Sequence, residues 1–71
     1  MNLYETWEVI KMITEDRSRK FRIIYGSETA YICDDGFGNI VWRGEGQGGQ
    51  PMVVIVGGKN WVEYKGEGEN E

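Results

Sequence analysis

The apolar pattern of this chain changes period once, from helical to strand-like at Phe21, and that change limits the fold to a short helix followed by a sheet. Before it, Leu3, Thr6, Trp7, Val9, Ile10 and Ile13 gather on one broad face at 100° per residue, while Glu5, Glu8, Lys11 and Met12 fall on the other. Asn2 followed by Glu5 reads as an N-cap with a capping-box partner. The charged run Glu15 to Lys20 holds no apolar residue, so the helix ends between Thr14 and Asp16. About a dozen residues make a marginal helix in isolation, and packing on a sheet must hold it.

After the change, Lys20 to Tyr25, Thr29 to Cys33, Ile40 to Arg43, Met52 to Val56 and Trp61 to Tyr64 read as strands. Met52 to Val56 is continuously apolar, the mark of a central strand. Gly26-Ser27, Asp34 to Asn39 and Gly57 to Asn60 are turns. The expected fold is α+β: one N-terminal helix packed on an antiparallel sheet of about five strands joined as a meander. A chain of 71 residues has room for one core. Residues 1–64 are expected to form a single domain, and Lys65 to Glu71 (KGEGENE) a disordered acidic tail.

So small a core seldom contributes more than about 3–5 kcal/mol without a disulfide, a metal or a second subunit. Cys33 is the only cysteine and there is no histidine, which leaves neither a disulfide within the chain nor a zinc site. Homo-oligomerisation is therefore expected. No apolar run reaches the roughly 20 residues of a bilayer span, and no signal-type segment opens the chain, so no membrane partner and a cytoplasmic location are expected. A net charge of −4 argues against DNA or RNA as a partner.

General acid–base chemistry near neutrality usually rests on histidine. Without it, and without a nucleophile beside a base, the chain reads as a binding module with no cofactor. Asp34 and Asp35 lack the alternating ligands of a calcium loop and read as a turn. Arg17, Arg19, Lys20 and Arg22 form the one basic cluster, and Arg43 could join it from a later strand to hold phosphate or carboxylate. Solvated strand-edge charge is the simpler reading for Arg17 and Arg19; for Arg22 and Arg43 both readings stand. Three Trp, four Tyr and two Phe exceed what one small core must bury. Trp7 and Trp61 are expected in the core, Tyr4 and Phe37 at the surface, and Trp42 in either place. The run Gly44 to Pro51 (GEGQGGQP) has four glycines; it is an idle connection or a loop closing on a ligand or a neighbouring subunit. It lacks the Gly-Lys-Ser/Thr of a P-loop.

The opening NLYETWEVIKMITED, the step RKFR into the first strand and the closing KNWVEYK resemble small proteins of phages and prophages of Gram-positive bacteria, among them the Thoeris anti-defence sponge family. The longer central insertion of that family is absent here. The resemblance implies a compact α+β oligomer that sequesters a cyclic ADP-ribose isomer or a cyclic oligonucleotide without cleaving it, in an intersubunit pocket. In this chain Arg22, Arg43 and the loop glycines Gly46, Gly48 and Gly49 would hold phosphates, with Tyr25 or Trp42 against a base. The alternative is an inhibitor that binds a host protein through an aromatic and acidic surface; a structural phage protein without a small ligand is the plainest reading.

Overall fold

The computed structural model describes residues 2–44, 46–52 and 57–65. Its elements run β1 (Tyr4–Glu5), α1 (Thr6–Glu15), β2 (Phe21–Ile23), β3 (Ala30–Asp34), β4 (Ile40–Gly44) and β5 (Lys59–Glu63). They form one five-stranded sheet in the order β1-β5-β2-β3-β4, every pairing antiparallel. The chain therefore has the α+β architecture expected of it, a helix packed on an antiparallel sheet.

Its connectivity is a meander only through β2, β3 and β4. Because β5 is antiparallel to both β1 and β2, those two run parallel to each other, and α1 makes the crossover between them. A helical crossover joins parallel strands, and here it leaves a gap one strand wide that the end of the chain fills. The fifth strand is thus β1, two residues long, which periodicity does not register. Of the strand expected at Met52 to Val56, residues 53–56 lie outside the described residues, as does the tail beyond Lys65.

The helix starts later than expected. Tyr4 and Glu5 pair with Trp61 and Lys59, so the N-cap is Glu5 and not Asn2, and the Glu8 carboxylate accepts the Glu5 amide at 2.8 Å. This is a capping box moved three residues along. At the other end the Asp16 amide donates to the Met12 carbonyl, and the Asp16 carboxylate accepts the amide and hydroxyl of Ser18.

Val9 and Ile13, one turn apart on α1, meet Phe21, Ile32 and Trp61 in a core of fully buried side chains. Each contributes about 1.5–3 kcal/mol of transfer free energy. Tyr4 packs edge-on against Phe21, centroids 5.6 Å apart, and Trp42 lies 6.0 Å from Trp61. The buried Trp61 indole donates to the Thr6 hydroxyl at 2.9 Å. Three expectations change here. Tyr4 and Met12 pack against the core, whereas Trp7 is 61% exposed. The apolar face read from the sequence was wider than one sheet can cover, and α1 is rotated to bring Val9, Ile13 and Met12 down, leaving Trp7 and Ile10 out. Trp61 is buried and Phe37 exposed, as expected.

Candidate functional site

Side chains alternate across a strand. With Phe21, Ile32, Trp42 and Trp61 turned to the helix, the opposite face of the sheet receives Lys20, Arg22, Tyr31, Cys33, Val41, Arg43, Val62 and Tyr64. Register makes neighbours of several of them. Tyr31 opposes Arg43 directly, and Arg22 opposes Val62. The pairing of Phe21 with Ile32 puts Arg22 beside Tyr31 one step further along. Val62, Arg22, Tyr31 and Arg43 thus form one row across four strands. Neighbouring strands lie about 4.8 Å apart, so the two arginines are rooted roughly 10 Å from each other with Tyr31 between.

Tyr31 is itself stacked on Tyr64, centroids 4.3 Å apart and planes 15° from parallel. The pair borders an open cleft of about 710 Å³. Lys20 and Lys65 stand on it, with Arg19 and Glu63. Arg19 is committed to Glu63 through two hydrogen bonds of 3.1 and 3.0 Å and lies over the Phe21 ring.

Arg43 is set by the glycine-rich loop. The loop folds back on β4: the Trp42 amide donates to the Gln50 carbonyl, the Gly49 amide to the Trp42 carbonyl and the Met52 amide to the Ile40 carbonyl. Pro51 bridges to Val41. Gly49, at φ +90°, has an Arg43 guanidinium nitrogen 3.1 Å from where a Cβ would stand, so the absence of a side chain lets the guanidinium lie across the loop. The amides of Gln47 and Gly48 donate to the Gly44 carbonyl and the Gln50 side chain. With those donors used inside the loop, its part is to place Arg43 and not to offer a row of amides.

Of the residues read as a site from the sequence, Arg22 and Arg43 therefore share a face, and Gly49 touches Arg43. Gly46 and Gly48 lie in the same loop with nothing near their Cα hydrogens. Trp42 does not join them; as the neighbour of Arg43 on one strand it points to the core. Tyr25 is exposed in the turn after β2. The aromatic surface beside the arginines is Tyr31 with Tyr64. Its signal was present in the turn Asp34 to Asn39: closing that hairpin symmetrically pairs Asp34 with Ile40 and, counted back, Tyr31 with Arg43.

Positive charge gathers on this face through Lys20, Arg22 and Arg43. Burial pushes the Cys33 thiol above its usual range, against the pull of the nearby Arg43 guanidinium, so it stays protonated at neutral pH. Asp34 and Asp35 are taken up by the turn: Asp34 accepts the Gly36 amide, and Asp35 accepts the amides of Phe37 and Asn39 and the Asn39 side chain. Among the described residues no group of acidic, cysteine or histidine side chains could hold a metal ion, and no helix is long and apolar enough to cross a membrane. No family model matches the chain, and no curated protein or solved structure is significantly similar to it.

Proposed function

We propose that this chain is a non-catalytic binding protein that sequesters a cyclic nucleotide, a cyclic ADP-ribose isomer or a cyclic oligonucleotide, in the manner of the Thoeris anti-defence sponges that its two ends resemble. The observation that carries the reading is the row Arg22, Tyr31, Arg43 on one sheet face. Guanidinium groups hold phosphate oxygens through paired hydrogen bonds, and a tyrosine between them offers a surface for a base. Sequestration needs no group that titrates near neutrality, which agrees with a chain lacking histidine. A ligand bearing phosphates on a ring would span the two arginines and extend toward Lys20 along the groove beside Tyr64.

Calorimetry with the Arg22→Ala and Arg43→Ala variants tests the assignment. Each substitution should weaken nucleotide binding about tenfold or more, the size of a lost charge-assisted hydrogen bond, and Tyr31→Ala by a similar factor. Arg17→Ala, whose exposed side chain reaches toward Asp34 at 3.6 Å, should leave affinity unchanged. Undiminished binding in the double variant Arg22→Ala/Arg43→Ala would move the ligand elsewhere on the chain.

A further inference from the structure

The two tyrosines of the arginine face come from strands that are not neighbours. Tyr31 stands beside Arg22 of β2, and on the other side of that strand the Tyr64 amide donates to the Lys20 carbonyl. Because β2 lies between β5 and β3, the two side chains start about 10 Å apart across the sheet. They lean together over β2, between Lys20 and Arg22, until the rings stand 4.3 Å apart at the centroids and 15° from parallel. Both are half-buried at the open cleft, within reach of a small solute. We infer that this pair is a site of oxidative cross-linking, at which a one-electron oxidant joins Tyr31 to Tyr64 through a carbon–carbon bond.

The chemistry needs two phenols held together and the oxidant. Each phenol gives one electron to the oxidant and its hydroxyl proton to water, leaving a radical shared between the oxygen and the ring carbons next to the one that bears it. One such carbon from each ring enters the new bond. The hydrogen on each of those carbons then moves to the oxygen of its own ring, which restores two aromatic phenols. The balance is two electrons and two protons lost for one bond formed. Nearly parallel rings at this separation have carbons in van der Waals contact, about 3.5–4.0 Å apart, so coupling requires the rings to slide and no strand to move. The other two tyrosines are placed differently: Tyr25 is 79% exposed in a turn, and Tyr4 meets Phe21 edge-on. The product ties the last strand to β3 across β2, a covalent brace in a small core whose single cysteine can form no disulfide within the chain. The inference does not rest on the nucleotide reading, since it uses only the ring pair.

Photo-oxidation of the dilute full chain with ruthenium tris-bipyridine and persulfate, a one-electron oxidant, provides the test. It should give a product of single-chain size, lighter by two hydrogen atoms and with the blue fluorescence of a biphenol. Trypsin should leave residues 23–43 of that product joined to residues 60–65. Tyr25→Phe should form it in undiminished yield, which assigns the link on the longer fragment to Tyr31. Tyr31→Phe and Tyr64→Phe keep both rings and therefore the packing, and each should reduce the single-chain product to background. Unfolding in urea before irradiation should scatter the links over the other tyrosines. The purified linked chain should melt at a higher temperature than Tyr64→Phe treated in the same way. A single-chain biphenol that persists in Tyr64→Phe, a folded chain that yields only cross-linked dimers, or one that yields no biphenol would each overturn the proposal. A linked chain that melts no higher would overturn the brace.

Discussion

Gly44 shows how one residue can be fixed by the backbone opposite it. It sits at φ +100°, and a Cβ there would run into the Thr29 carbonyl across the sheet, so both the conformation and the space demand glycine. Gly44→Ala should cost at least about 1–3 kcal/mol in urea unfolding. Gly48→Ala, with open space around it and no positive φ, should lie within about 0.5 kcal/mol of wild type. Equal effects at the two positions would contradict this account of the loop. The distinction is invisible in GEGQGGQP, where all four glycines look alike. Trp61 could be placed in the core from its position on the last strand, but Trp7 could not be placed outside it. Helical periodicity gives the width of an apolar face; which part of it meets the sheet depends on Val9 and Ile13 finding Phe21, Ile32 and Trp61, a contact between distant parts of the chain.

At the scale of elements, the β3–β4 hairpin is the part most directly written in the sequence. Asp34 to Asn39 closes as a turn because Asp35 gathers the amides of Phe37 and Asn39, and the five residue pairs behind it follow from that closure. The Phe37 amide, then the Asn39 side chain, hold the Asp35 carboxyl below its ordinary 3.8. A folded-state pKa that is depressed gives a contribution present above the unfolded value and lost as pH falls through the folded one. Amide exchange at Phe37 and Asn39 should therefore show constant protection, once corrected for intrinsic rates, from pH 7 to about pH 5. Protection should decline below 3.8, and in Asp35→Ala it should already be low at pH 7. Protection that stayed level down to the lowest pH would contradict the role given to the carboxylate. The helix was legible too, though its start was not, since Asn2 and Glu5 offered a capping pair as plausible as Glu5 and Glu8. β1 escaped notice because two residues carry no period, and its place beside β5 depends on the two ends of the chain meeting.

For the whole molecule, the sheet separates two surfaces with different chemistry. One face packs on α1 and forms the core; the other carries Arg22, Arg43 and the Tyr31–Tyr64 stack. From the sequence, alternation puts Lys20 and Arg22 on one face, where Arg43 could join them, and it alone already turns Trp42 away from Arg43 and Tyr25 away from Arg22; finding the aromatic that does stand beside the arginines needed the register, which gives Tyr31. The central proposal is that the arginine face holds a cyclic nucleotide without altering it. Native mass spectrometry of the intact chain, alone and with a panel of cyclic ADP-ribose isomers and cyclic di- and trinucleotides, tests it most directly. The account predicts a complex with one of these compounds that is lost in Arg22→Ala/Arg43→Ala, and a ligand of unchanged mass released on denaturation. A chain that ignores the whole panel, or one that returns a cleaved nucleotide, would contradict it.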